Sequence, residues 1–385
     1  MSLLQLSATT LPRSADALRS SVRGFLAEER EQGRYVPRCD NWLGGIDPEF
    51  SRRLGERGFL GLTWPRRYGG QERSPLERFA VTEELLAAGA PVAAHWVSDR
   101  QVGPNLLRFG SEDQKRTYLP GIACGQLLFC IGMSEPDSGS DLASVRTQAT
   151  RAPGGWVVNG SKVWTSGAHV AQAMVALVRT TPEADRHDGL SQLIVDMAAA
   201  GVQVNPIRSI DGGHHFNEVV LQDVFVPDEH VLGRIGDGWR QVTSELAYER
   251  SGPERLMSTL PLLLEWCKRL RESSAPIDTA YADAVGQLVA RCWTLRQMSL
   301  AVAAGLADGA MPATEAAMVK DLGAQFEREV IEVIRRHIDL EPDAGSDDPL
   351  TRLLAEAILH SPAFTLRGGT TEILRKIVAS SLGAR

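Results

Sequence analysis

Between Gln126 and Gly233 the chain changes character, and that change limits the possible folds more than any other feature. On either side lie long segments with apolar residues at three- and four-residue spacing, the helical period. Between them Gly, Thr and Val become frequent and the apolar runs shorten. Here GGWVVNG, KVWTSG, AMVALVRT, LSQLIVDM, VQVNPI and EVVLQDVFVP read as strands separated by turns. Short strands between two helical blocks predict an α+β multidomain protein. Its expected parts are an N-terminal all-helical domain over 1–125, a central antiparallel β-sheet domain over 126–233 and a C-terminal helical bundle over 234–385. No βαβ alternation is visible, which argues against a doubly wound parallel sheet.

Within the helical blocks several ends are marked. Ser14 can cap ADALRSSVRGFLAEE, and Asp47-Pro48 can open PEFSRRLGERG, because proline loses nothing at the first helical position. Leu76–Ala88 is periodic, and Ser111 begins SEDQKRTYL with an acidic first turn. After Gly236 come SELAYERSG, TLPLLLEWCKRLRESS and two longer amphipathic segments; EPDAGSDDP then breaks the run, and a last helix lies in GGTTEILRKIVASSL.

Composition narrows the partners. With 41 Lys+Arg against 48 Asp+Glu the net charge is −7, which argues against nucleic acid, whose phosphates need a basic surface. The five cysteines are odd in number, widely spaced and free of CxxC, as expected of reduced thiols in a cytoplasmic protein. The N-terminus has no basic stretch ahead of a sustained apolar run, so no secretory signal is expected. The longest apolar runs, such as Ala173–Val178, fall far short of the roughly 18 residues of a membrane span.

Most nucleotide and catalytic motifs are missing: there is no GxxxxGK[ST] and no GxSxG. LGRIGDGWR has its glycines in the order GxxGxG and reads as a connecting loop. His214 and His215 are adjacent, so regular structure would point them apart, and no metal site is expected. The informative segment is IGMSEPDSGSDLASVRTQA, Ile131–Ala149. It reads either as a polar loop joining domains or as a loop whose N–H groups and Ser134 and Ser140 hydroxyls line a heteroatom-rich ligand.

Here the chain resembles the acyl-CoA dehydrogenase family of flavoenzymes. Ser134-Glu135-Pro136-Asp137-Ser138-Gly139-Ser140-Asp141 matches that family's small-residue-Glu-Pro-x-x-Gly-Ser-Asp motif. WPRRYGG, NGSKVWTSGAHVA, FNEVVLQDVFVP with LGRIGDGWR, and GGTTEILRKIVA resemble further family segments in the right order, so the likeness spans nearly the whole chain. The resemblance implies FAD as cofactor and α,β-dehydrogenation of an acyl-CoA thioester: a carboxylate takes the α proton and the β hydrogen leaves as hydride to flavin N5. It implies Ile131, Met133 and Ser134 at the flavin ring, Trp164 over one ring face, Thr165 beside it, and Ser166 in place of the usual Thr that bonds N5. Ser140 would lie near the pantetheine or phosphates of CoA, and Thr370 and Glu372 near the cofactor phosphates and ribityl chain. The usual base position, ahead of the closing Gly-Thr, is Gly368, which carries no side chain. A minority of the family has its Glu on an earlier helix just before an Arg. Glu249, followed by Arg250, is therefore the expected base, with Glu245 one turn earlier as the near alternative. Arg250, Gly368 and Gly369 are expected at the substrate, the N–H at 368 polarising the thioester oxygen. The small Gly368 is also expected to leave room for a bulky or branched acyl group.

Two family features are absent. Leu270, Ser273 and Ser274 stand where an Arg-x-x-Phe-Gly stretch normally reaches a neighbour's FAD pyrophosphate, with Arg269 and Arg271 as possible replacements, and no Gln-x-x-Gly-Gly-x-Gly loop lies between Arg336 and Pro362. The chain thus resembles actinobacterial steroid side-chain subunits that work as α2β2 hetero-oligomers with a homologous chain. A homo-oligomer with a reshaped ADP pocket is the other reading. Electron-transfer flavoprotein or a similar acceptor is the implied electron partner. A non-catalytic partner subunit and an acyl-CoA oxidase remain as alternative functions.

Overall fold

The computed structural model describes residues 4, 6–181, 186–250, 252–273, 278–310 and 312–383, with the backbone alone for 245–249. Helices come first: α1 (Ser14–Glu31), α2 (Asn41–Gly44), α3 (Pro48–Glu56), α4 (Pro75–Ala87), α5 (Ala93–Val97), α6 (Gly103–Phe109) and α7 (Glu112–Ala123). Strands follow: β1 (Phe129–Gly132), β2 (Gln148–Ala152), β3 (Gly155–Lys162), β4 (Ala173–Arg179), β5 (Leu190–Asp196), β6 (Val202–Ile207), β7 (Phe216–Pro227) and β8 (Val231–Leu232). The chain closes with α8 (Gly238–Glu249), α9 (Leu260–Glu272), α10 (Thr279–Ala307), α11 (Ala313–His337), α12 (Pro349–His360) and α13 (Thr371–Ser381). This is the expected helical, β and helical order. The residues group into two compact units, one from 46–73 and 92–246, the other from the described parts of 1–45, 74–91 and 247–385.

The sheet lies in the first of these units, with strand order β6-β7-β3-β2-β4-β5-β8 and β1 beside β4. Its pairings are antiparallel except that β1 runs parallel to β4 and a single parallel bridge joins β2 to β4. β4 is apolar on both faces, as a strand covered on both sides must be. One face packs Val158, Val178, Leu193 and Val219; the other packs Phe129, Val175 and Ile194 under Trp64, Leu106, Leu119 and Ile122. β3 and β7 slip register between Val158 and Gly160, where φ is +153° and a Cβ would come within 2.4 Å of Thr147. The helices of this unit start as the sequence marks them: Asp47 accepts from Phe50 N (2.9 Å) with Pro48 next, and Ser111 forms a capping box with Gln114.

In the other unit α4 is held from two sides. Arg19 and Arg23 of α1 bind Glu83 and Glu84, and Arg296 of α10 adds a bond to Glu83 (3.0 Å). Val302, Ala316 and Val319 form the seam between α10 and α11. Two local expectations need correction. Ser14 is the first helical residue and makes no cap, Arg13 holding the cap position. KVWTSG is not a strand: β3 ends at Lys162 and the chain turns at Trp164. EPDAGSDDP breaks the helical run as expected, between α11 and α12, and α12 itself, capped by Asp348 (Thr351 N to Oδ2, 3.0 Å), is a helix the sequence reading did not set apart. No helix among the described residues is long and apolar enough to cross a membrane.

Candidate active site

The motif residues from Ile131 to Ser166 lie in the sheet-containing unit, and one buried ion pair organises them. Lys162 ends β3 on the same face as Trp156 and Val158, and its side chain is fully buried. Its stem fills the space beside Gly132, where a Cβ would sit 3.0 Å from Cγ. Its three donors go to Leu177 O (2.6 Å), Glu135 Oε1 (2.7 Å) and Met133 O (3.3 Å). Glu135 also accepts from the N–H of Arg146 (2.6 Å) and of Thr147 (2.9 Å). Burial pulls Lys162 down to about 8 against the attraction of Glu135, so it is still charged at neutral pH. Burial also pushes on Glu135, but Lys162 and the N–H donors together hold its carboxyl below the usual range. The pair therefore pins the turn after Ser134, which closes on itself through Glu135 N to Ser138 O (2.7 Å) and the reverse bond (3.0 Å).

The two motif segments are then tied directly, Val163 N donating to Ser134 O (2.9 Å). Trp164 follows with φ of +58°, a backbone region a bulky residue occupies only when its surroundings impose it. The residue is 58% exposed, and its ring meets Phe216 edge to face at 5.6 Å. Thr165 is buried and pairs with Asn217 in both directions (3.0 and 3.1 Å), while its Oγ1 has no hydrogen-bond partner among the described residues. Ile131, Met133, Ser134 and Ser166 are half-buried, and Ser140 is exposed. An open flat indole, a strip of small hydroxyls and partly open apolar side chains fit a planar heteroaromatic ring system.

Arg250, Gly368, Gly369, Thr370 and Glu372 lie in the other unit. Arg250 Nε donates to Gly368 O (3.2 Å). Gly368 and Gly369 have φ of +68° and +103°. A Cβ on Gly368 would come within 2.9 Å of three guanidinium atoms of Arg255, whose side chain is 3% exposed and lies over the Trp42 ring at 5.1 Å. On the side where a Cβ would stand, the space beside Gly368 is taken by the Arg255 guanidinium. Arg367 covers the same indole (4.6 Å) and bonds Asp40 (2.5 Å) and Ser258 (2.9 Å). Thr370 caps α13, and Glu372, exposed in its first turn, is held below the usual carboxylate range by hydrogen bonds from its own backbone and Thr370. Glu249 ends α8, and its side chain, like that of Glu245, lies outside the described residues. Ser274 lies outside them too; Arg269 is engaged with Asp348, and Arg271 is exposed.

Sequence reasoning assigned no role to Lys162, Glu135, Asn217 or Arg255. For Lys162 a signal existed: two-residue alternation from Trp156 and Val158 puts it on the buried face. Arg255 meets Gly368 only through tertiary packing, which no local pattern announces.

Residues 12–126, 130–224 and 236–383 match the N-terminal, middle and C-terminal domains of acyl-CoA dehydrogenases. The chain belongs to the acyl-CoA dehydrogenase family, a family of flavoproteins, and is an acyl-CoA dehydrogenase. Among its relatives is the acyl-CoA dehydrogenase IpdE1 of Mycobacterium tuberculosis, 35% identical over 391 residues, with 95% of this chain and 97% of IpdE1 covered. FadE34 of the same organism is 34% identical over 341 residues; 87% of this chain is covered but only 46% of FadE34. Two solved structures superpose over 98% of the chain at 29% identity: the Tcur3481-Tcur3483 steroid ACAD (TM-score 0.84, 99% of that chain) and the ChsE4-ChsE5 complex from Mycobacterium tuberculosis (TM-score 0.81, 100% of that chain).

Proposed function

We propose that the chain uses FAD to form the α,β double bond of an acyl-CoA whose acyl group is a steroid side chain or a similarly bulky or branched group. The observation that carries the reading is Trp164, an open indole held in left-handed backbone and lashed through Val163 to Ser134. FAD, when bound, supplies the acceptor for the β-hydride at N5. Ile131, Met133, Ser134, Trp164, Thr165 and Ser166 would hold its ring, with Thr370 and Glu372 toward the phosphates. Ser140 and Arg250 would contact substrate.

Glu249 takes the α proton as general base. The N–H of Gly368, with Gly369 behind it, stabilises the developing negative charge on the thioester oxygen. Arg255 supports this division of labour: a carboxylate placed at 368 would face a buried guanidinium and be held there as its ion partner.

The substrate class is supported by likeness to the Tcur3481-Tcur3483 steroid ACAD. A homologous partner in an α2β2 assembly is supported by likeness to the ChsE4-ChsE5 complex, by the absent Arg-x-x-Phe-Gly stretch and by the engagement of Arg269 with Asp348. Electron-transfer flavoprotein or a similar acceptor, a cytoplasmic setting and the boundaries 1–125, 126–233 and 234–385 complete the proposal. Anaerobic addition of a steroid side-chain acyl-CoA to the purified holoprotein should bleach the flavin absorbance, more readily than a short straight-chain acyl-CoA. No bleaching would indicate a non-catalytic subunit, and hydrogen peroxide release under air an oxidase.

A further inference from the structure

The histidines around the Trp164 turn meet on one buried amide. Asn217 is fully buried, and its Nδ2 donates to Thr165 O (3.0 Å), with His215 O at 3.4 Å. Two carbonyls on that side fix which way the amide points, since carbonyls accept only from its nitrogen. Nδ2 then also faces His169 Nδ1 (3.2 Å), and Oδ1 faces His214 Nε2 (2.8 Å). It follows that His169 must keep Nδ1 bare to accept, while His214 must carry its proton on Nε2 to donate. The two imidazoles stack at 4.3 Å, so a charge on one opposes a charge on the other.

A flip of the amide offers no escape. Oδ1 would then face Thr165 O and His215 O, acceptor against acceptor. A proton on His169 Nδ1 thus sets donor against donor at the side chain that grips Thr165, next to the strained Trp164.

We propose that Asn217 is the positioning residue of the Trp164–Ser166 segment, and that His169 serves as its proton-sensitive latch: bare Nδ1 closes the clamp, a proton there opens it. The consequence for turnover rests on reading this segment as flavin-facing; the clamp itself does not. Burial, followed by the neighbouring His214, holds His169 below the ordinary imidazole value of 6.5, so the clamp stays closed at neutral pH and opens only as pH falls beneath that value. His214 is the titratable ring facing His169, and the amide of Asn217 is its other partner.

The test is Trp164 fluorescence in the full chain between pH 8 and 5, taken as the difference between wild type and Trp164→Phe. The expected result is a reversible step in emission with a midpoint below 6.5. His169→Gln keeps an acceptor that does not titrate here and should abolish the step. His214→Gln should move its midpoint up, by removing the opposing ring. Asn217→Asp, which replaces the donor with an acceptor, should give the low-pH emission already at pH 8. His169→Gln lies on the open side of the cluster and keeps the proposal testable should Asn217→Asp not fold. A wild-type protein with no step, or a step unchanged in His169→Gln, would overturn the proposal. Turnover that does not change through an intact step would count instead against the flavin-facing reading.

Discussion

Arg255 and Gly368 show how a missing side chain can be required by something other than substrate. Gly368→Ala forces a Cβ to within 2.9 Å of the guanidinium and adds about 1–2 kcal/mol of left-handed strain. The variant should lose Tm, read by thermal unfolding beside wild type. An unchanged Tm would contradict both the close approach and the backbone strain. Glu135 is the second residue with a clear energetic role. Glu135→Gln leaves Lys162 buried without its counter-charge and should cost about 3–5 kcal/mol at neutral pH. Because the folded state holds this carboxyl below its ordinary value of 4.5, its contribution is complete above that pH and fades as pH falls through the lower folded value. The Tm gap between variant and wild type should accordingly narrow below pH 4.5; a gap that is constant with pH would mean the pair contributes no charge energy.

At the level of elements, the ends of helices carry measurable weight. Ser111 and Gln114 cap α7 reciprocally (3.1 and 3.0 Å), and Gln114 Nε2 also reaches Glu229 O (2.7 Å) and Val231 O (2.9 Å). Ser111→Ala should lower stability by about 1 kcal/mol, and Gln114→Ala by more, since it also strands one carbonyl ahead of β8 and one within it; chemical denaturation of both variants checks the order. Such ends were legible because capping is local, as at Asp47-Pro48 and Ser111. The same logic was present but unread at Asp348-Pro349, where the polar run before it masked α12. The turn at Trp164 was misread for a physical reason: Val163, Trp164 and Thr165 are good strand formers. Contacts from distant segments override that preference, Val163 bonding Ser134 and Thr165 pairing with Asn217. The motif segments of the candidate site were legible locally, while the side chains that brace them, Lys162, Asn217 and Arg255, depend on neighbours far away in sequence.

For the whole molecule, the central question is whether one chain suffices. If a homologous partner supplies the ADP-side contacts, the chain expressed alone should hold FAD substoichiometrically and gain it on co-expression with that partner; a homo-oligomer with one tightly held FAD per chain would contradict this. The most direct measurement concerns Glu249. Purified wild type and Glu249→Gln, each loaded with FAD, should be mixed anaerobically with a steroid side-chain acyl-CoA and the flavin absorbance followed. Wild type should bleach rapidly, and the variant should keep its FAD but bleach about 10²–10⁴-fold more slowly. Near-equal rates would show that a different group removes the α proton.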